Sequence, residues 1–449
     1  MSVAWARCLT VASVAVAGCT AGAGAPDAAA PGDGAARLRG VRAEGAPSVI
    51  LDGTARAALG LAAGPESVVA RTIDSDGTVH LLFAATTRSG ARGTFRFRSD
   101  GALAHLSADP ALDPAPPGGP EPAAVLAPGR LDPNPGVPGS ADGGAGQAAF
   151  DLDRAGGGTL IDCPDFPGRS TGRTLYFYHG ENRTDASRGA PPVDGDHAHG
   201  WSGLGLSYWD PLISRFRKSD QIIGLDRSNG WSAPPDARTP QTPLAAGQAS
   251  VVLEPDSLDL YLFYDDGGDG AGDPAAAACA GRPCVAVARA GLVDVCSNVK
   301  SGARTLWRKR YLGAFAEPGV LDPSATSTAR PPGTGGHASP LFSADEDGGG
   351  QAVPSVTYLP ARRTWLMVYV GGDGAIALRS SGDGLAWSPP ARLIAPPAAG
   401  ALGYPTLLVD GADDLATAAW SLLYTEAAPA GDPSGGARLV RQPLAVAWD

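Results

Sequence analysis

The sequence predicts an all-β protein, a five-bladed β-propeller of four-stranded antiparallel blades. Three observations predict it. Aromatic-rich apolar runs recur in pairs, helical periodicity with caps is almost absent, and Gly and Pro interrupt every window long enough to hold a helix. The first run of each pair is 175–179, 260–264, 365–369 or 420–424, and the second is 204–208, 285–289, 376–379 or 444–448. Two strong strands with two weaker ones, repeating at roughly 60 to 80 residues, are what a propeller blade looks like in sequence. Four such units follow Gln147, and an earlier pair at 79–83 and 93–97 offers a fifth. A β-sandwich would account for alternating strands but not for the repeated pair order.

From the N-terminus, Val16-Ala17-Gly18-Cys19 closes a short apolar stretch behind Arg7 and reads as a bacterial lipoprotein signal, residues 1–18. The apolar part, 8–18, is too short to cross a hydrocarbon core of about 30 Å as a helix. Cleavage before Cys19 would leave it as the lipid-bearing first residue; an ordinary secretory signal is the competing reading. Thr20 stands where an aspartate would favour inner-membrane retention, so the outer membrane or cell surface is the expected location. Residues 19–37, mostly Ala, Gly, Pro and Asp, read as a flexible tether. An N-terminal β region follows at 38–108, then a Pro/Gly-rich linker or loop at 109–147, then the strand block from 148 to 449.

Lys and Arg number 35 against 46 Asp and Glu, giving a formal net charge of −11 with no basic block. That argues against nucleic acid and anionic lipid as partners and for a neutral or cationic one, so the membrane is expected to be met through the anchor alone. A monomer is expected. Of the six cysteines, Cys8 leaves with the signal and Cys19 takes the lipid. Cys163, Cys279, Cys284 and Cys296 remain for two disulfides in an oxidising compartment. The spacing of Cys279 and Cys284 suits a small loop staple, which would leave Cys163 for Cys296, but three connectivities stay open. No CxxC pair or spaced histidine supports zinc.

The residues that could carry chemistry are acids and aromatics at strand ends. In Tyr178-His179-Gly180-Glu181-Asn182-Arg183, His179 and Glu181 share one strand face, where a carboxylate could act as a general acid; an ion pair with Arg183 or His179 is the bland alternative. Asp151 and Asp153 open the strand block, Asp265 and Asp266 end the 260–264 run, and Glu317 sits in an Ala-Glu-Pro-Gly turn. Glycoside hydrolysis needs two carboxylates facing across a sugar, about 5 to 5.5 Å apart for retention and roughly 6.5 to 9.5 Å for inversion. Tyr178, Trp201, Tyr208 and Trp209 could stack on sugar faces or pack between sheets. Asp194, Asp196, His197 and His199 are closely spaced ligand types, and the Asp/Gly-rich 265–273 stretch leaves room for a structural calcium without the spacing of an EF-hand; otherwise no metal or cofactor is expected. No nucleophile elbow or phosphate-cradling loop is present in the sequence.

Phe150-Asp-Leu-Asp-Arg154, the YHGE motif, the LYLFYDD strand with VAVARA, and the stretch 307–319 together resemble the arabinanase, levansucrase and invertase-like five-bladed superfamily over most of 147–449. The resemblance implies a central funnel that binds carbohydrate and, in active members, an aspartate base, an aspartate that tunes the acid, and a glutamate acid. By chain order these roles would fall on Asp151 or Asp153, on Asp265 or Asp266, and on Glu317, with Glu181 as a competing acid. His179, Arg183, Tyr178, Trp201 and Trp209 would then contact the sugar. The turn Ser381-Gly-Asp383-Gly384-Leu-Ala-Trp387 resembles the Asp-box of sialidase-type propellers shortened by one residue, and still more the S-x-DG-x-x-W turn of glycosidase propellers. Its expected role is structural. The expected function is an exported, lipid-anchored protein that binds or hydrolyses a carbohydrate, against a rival reading as a non-catalytic platform for protein partners. Acids converging on one funnel would favour the first.

Overall fold

A strand that is apolar on both faces needs a layer on each side of it, and the recurrent runs are of that kind. In the computed structural model they become the middle strands of five antiparallel sheets, the blades of a five-bladed propeller. The structure describes residues 38–67, 69–73, 77–99, 103, 105–108, 121–128, 154–166, 172–182, 201–224, 246–266, 283–301, 305–320, 335–347, 350–396, 400–410, 418–428 and 436–449.

Strands β1 (Leu38–Ala43) and β2 (Ser48–Leu51) and the short helix α1 (Gly53–Ala58) come first. Blade one holds β3 (Leu61–Ala63), β4 (Ala70–Ile73), β5 (Val79–Thr87), β6 (Arg92–Ser99) and β7 (Leu106–Ala108). Blade two holds β8 (Arg154–Cys163), β9 (Arg173–Asn182), β10 (Trp201–Asp210) and β11 (Arg215–Gly224). Blade three runs through β12 (Ala246–Glu254), β13 (Asp259–Asp266), β14 (Cys284–Gly291), helix α2 (Leu292–Ser301), β15 (Arg308–Tyr311) and β16 (Ala314–Pro318). Blade four is β17 (Gln351–Leu359), β18 (Thr364–Gly371), β19 (Ile376–Ser381) and β20 (Ala391–Ile394); blade five is β21 (Leu402–Asp410), β22 (Ala419–Ala427) and β23 (Ala437–Trp448).

The N-terminal strands complete the last blade. β1 pairs antiparallel with the end of β23, Leu38 against Trp448, and β2 pairs with its beginning, Ser48 against Arg441. Two sheets have four strands, as expected, and three have five: blade one has a split inner strand, blade three an extra hairpin strand and blade five the added β2. Residues 121–128, within the segment read as linker or loop, wedge between blades one and two, Val125 N–H donating to Thr94 O and Phe216 N–H to Val125 O, both at 2.8 Å.

Five apolar cores fill the five seams. Phe83, Phe97, Leu408 and Leu439 join blades five and one; Tyr176, Tyr178, Leu82 and Ala155 join one and two; Phe177, Leu204, Leu262 and Trp307 join two and three. Phe263, Val287, Trp365 and Tyr369 fill the next seam, and Leu366, Leu378, Leu422 and Val440 the last. A hydroxyl on the inner strand also bridges three of these seams. Val251 N–H donates to Thr159 Oγ1 at 3.2 Å, Val356 N–H to Ser250 Oγ at 2.8 Å, and Val69 N–H to Thr406 Oγ1 at 3.3 Å. The hydroxyl takes the place of the ladder bond that separate sheets cannot make, so the inner strands close around the axis without an orphaned N–H at those points.

The turn after β19 forms as its residues require. Asp383 Oδ1 accepts from Leu385 and Ala386 N–H, Gly384 takes φ +72°, and Trp387 meets Phe263 of blade three edge-on at 5.9 Å. Helix α2 is a departure from the near absence of helix that the sequence suggested. Leu292, Val295, Cys296 and Val299, at helical spacing, bury one stripe against the seam of blades two and three. There Cys296 bonds to Cys163, the last residue of β8. Cys284 is disulfide-bonded too; Cys279 lies outside the described residues.

Candidate functional site

In blades two to five the inner strand begins where its neighbour ends: Arg154 faces Glu181, Ala246 faces Asp266, Gln351 faces Gly371 and Leu402 faces Glu426. Just inside that end every one of these inner strands carries a bulge, at Gly157, Gln248, Val353 and Tyr404, with φ of 75°, 51°, 58° and 49°. Positive φ is costly for a β-branched residue such as Val353, and bulges of this kind collect where a strand end must aim a side chain at a site. The residue opposite each bulge is therefore the one to read. These are His179 against Gly156, Asp265 against Gly247, Val370 against Ala352 and Thr425 against Gly403.

Two of them converge. A Cβ on Gly247 would sit 3.6 Å from His179 Nε2 and 3.7 Å from Asp265 Oδ2, so an imidazole from blade two and a carboxyl from blade three both lie against this one point of the inner strand. His179 is 4% exposed and Asp265 7%. Asp265 Oδ1 accepts the Val353 N–H of blade four at 2.6 Å, so three blades meet here. Burial pushes the Asp265 carboxyl well above the ordinary carboxylate range; the Val353 N–H opposes that shift and the adjacent Asp266 adds to it. Asp266, leaving the opposite strand face, lies 3.8 Å from Lys309 Nζ. Lys309 is fully buried, with Nζ donating to Gly224 O at 2.6 Å and to Gly336 O at 3.0 Å.

A carboxyl that holds its proton more tightly when folded stabilises the fold below its ordinary range, and the stabilisation is lost as pH rises through the raised folded value. Asp265→Asn keeps the acceptor for Val353 N–H and removes that loss. The variant is expected to gain on wild type by about 1.4 kcal/mol per pH unit across the window. Urea unfolding from pH 4 upward checks this, and parallel curves for the two proteins would rule it out.

The other expected site residues are placed differently. Tyr178 is wholly buried in the seam of blades one and two, with its ring centroid 6.3 Å from that of Tyr176. Trp209 lies at the far end of β10 from Trp201, edge-on to Phe216 at 5.0 Å and under the Arg96 guanidinium at 5.1 Å. Glu317 stands on β16, the outermost strand of blade three, where Oε2 accepts from His337 N–H at 3.3 Å. It is three strands out from β13, about 14 Å at the usual strand spacing, and lies opposite Lys309 in the register rather than beside Asp265. Asp151, Asp153, Arg183, Cys19, residues 194–199 and residues 267–273 lie outside the described residues, as do the side chains of Glu181 and Trp201. Among the described residues no group of three or more His, Cys, Asp or Glu side chains could hold a metal ion, and no helix is long and apolar enough to cross a membrane.

Gly247, Val353 and Lys309 were not singled out from sequence. The alternation Trp307, Lys309, Tyr311 did carry a signal for Lys309, since it puts the ammonium on the face of a buried tryptophan.

No protein-family model and no curated protein matches this sequence. Glycoside hydrolases are among the solved structures with a similar arrangement of strands. A thermostable family-43 glycoside hydrolase matches over 85% of this chain and 92% of its own, at 10% identity and TM-score 0.42. An endo-arabinanase of family 43 from Bacillus licheniformis matches over 85% and 95%, at 12% identity and TM-score 0.38. For fructan 1-exohydrolase IIa from Cichorium intybus the match covers 84% of this chain but only 55% of that one, at 12% identity and TM-score 0.43. The five-bladed architecture itself rests on this chain's own strand pairing.

Proposed function

We propose that this chain is an exported, lipid-anchored propeller that binds a neutral carbohydrate at the end of the ring where the inner strands begin. The observation that carries the reading is the convergence of His179 and Asp265 over Gly247, an imidazole and a carboxyl supplied by two blades and braced by a third. Sugar hydroxyls both donate and accept, and a protonated carboxyl beside an imidazole offers both partners. A net charge of −11 disfavours polyanions. Asp265 and Asp266, neighbours on one strand, leave opposite faces and cannot by themselves flank a glycosidic bond, so hydrolysis would need one of them to act with Asp151, Asp153, Glu181 or Glu317. The FDLDR and YHGE motifs and their family resemblance support a carbohydrate, and Cys19 supports anchoring in the cell envelope.

A single preparation tests both parts. Wild type is expected in the membrane fraction and Cys19→Ser in the soluble one, and the soluble variant is then titrated calorimetrically against a panel of neutral polysaccharides. One or more glycans should bind, and His179→Ala should weaken that binding at least tenfold with Tm unchanged. Release of reducing sugar would show hydrolysis instead. A panel without binding or cleavage gives way to the protein-platform reading.

A further inference from the structure

Building on the sugar-binding reading of this end of the ring, we propose that Lys309 is a positioning residue of the site. It divides the adjacent carboxyls of Asp265 and Asp266 into a charged one, held at the seam of blades two and three, and a neutral one, left to donate to the ligand.

A buried ammonium is expensive, and an apolar side chain of the same length would fill a seam at no such cost. Yet this seam is shaped around the charge. Lys309 Nζ is held by the carbonyls of Gly224, from the end of blade two, and Gly336, from the segment that follows blade three. Gly335 closes the cage: a Cβ there would fall 2.4 Å from the Gly224 and Gly319 carbonyl oxygens and 2.8 Å from Nζ itself. Asp266 Oδ2 lies 3.8 Å from the ammonium and the ring of Tyr264 5.8 Å away, while Glu317, opposite Lys309 in the register of β15 and β16, holds its carboxylate beside Gly336 and accepts from His337 N–H.

Asp265 points the other way. Around it stand His179 from β9, Gly247 from β12 and the Val353 N–H from β17; across from Asp266, β14 presents Cys284, which is in a disulfide. Two neighbouring carboxyls in a low-dielectric interior do not both ionise cheaply, and a cation beside one decides which of them does. Lys309 makes that choice for Asp266. Asp265, whose neutral form is also favoured by burial, is left with the proton.

The test follows the aspartate carboxyls by isotope-edited infrared spectroscopy on the folded protein from about pH 4 to 9, with Asp265→Asn giving the assignment by difference. In wild type one carboxyl of the pair should take up a proton in that range. In Lys309→Met both should, adding about one proton per molecule over that range. In Asp266→Asn the Asp265 carboxyl should titrate at lower pH than in wild type, because its negative neighbour is gone. A Lys309→Met profile that superimposes on wild type overturns the proposal. If that variant does not fold, an unmoved Asp265 in Asp266→Asn overturns it equally. Glycan titration is run separately, so a wild type that binds no sugar sinks the functional reading, while the carboxyl profiles still decide the role of Lys309.

Discussion

Replacing Cys163 and Cys296 together by alanine is expected to cost the protein about 5 kcal/mol, the chain-entropy value for a closed loop of this length. The bond links residues 133 apart and ties the last residue of β8 in blade two to helix α2 of blade three. In the unfolded chain it therefore removes the freedom of nearly two blades, while in the folded one it lies within a seam already packed by Phe177, Leu204, Val295 and Trp307. For a ring of this size such a loss corresponds to a fall in Tm on the order of 6 °C. Calorimetry under oxidising conditions reads it directly, and a Tm within about a degree of wild type would show that the seam, rather than the cross-link, holds the two blades together.

The blades were legible because their middle strands, being covered on both sides, must be apolar throughout, and that pattern survives any connection between them. What closes the ring was not. β1 is a half-exposed edge strand of six residues, LRGVRA, and its partner in β23 lies at the opposite end of the chain. No local pattern announces such a pairing, since it is fixed by the global closure. Helix α2 was missed for another reason. It follows β14 directly at Gly291, so the strand's apolar run absorbs Leu292, and only the spacing of Leu292, Val295, Cys296 and Val299 marks the change of period.

In the site, sequence reading located acids at strand ends but could not tell inner strands from outer ones. Asp265 and Glu317 look alike as acids near the ends of apolar runs, yet one stands on the strand paired directly with the inner strand β12 and the other on the blade's outer edge. His179 was found because alternation along β9 sets it on the face it shares with Phe177 and position 181; the same alternation puts Tyr178 with Tyr176, on the face that packs into the seam of blades one and two. The burial of Lys309 escaped notice because Trp-Arg-Lys-Arg reads as a charged run until Trp307 is seen to be buried.

The second large effect is expected at Arg379, where a buried cation organises the approach to the same end of the ring. Its side chain is 1% exposed and its guanidinium is almost fully satisfied. Nη2 donates to Asp347 Oδ2 at 2.7 Å, Nη1 to Glu346 Oε2 at 2.9 Å and to Ser388 O at 3.0 Å, and Nε to the Tyr369 hydroxyl at 2.8 Å. Tyr369 in turn donates to Asp347 Oδ1 at 2.8 Å, burial keeping the phenol protonated, and the Phe342 ring lies 4.1 Å from the guanidinium. Asp347 also accepts from Gln351 Nε2 at 3.1 Å, and Gln351 opens β17, two residues before the Val353 N–H that holds Asp265. Arg379→Met leaves Asp347 buried beside a phenol with its counter-charge gone, which for a pair of this kind costs about 3 to 5 kcal/mol. Arg379→Met combined with Asp347→Asn removes both charges, so the double variant should recover much of that loss, and the cycle should return a coupling of about 2 kcal/mol or more. Urea midpoints of the four proteins measure it. Because the clasp fixes the start of β17, glycan affinity should fall in Arg379→Met and return in the double variant; additive midpoints would mean that Arg379 and Asp347 act independently and that the start of β17 is held by its sheet alone.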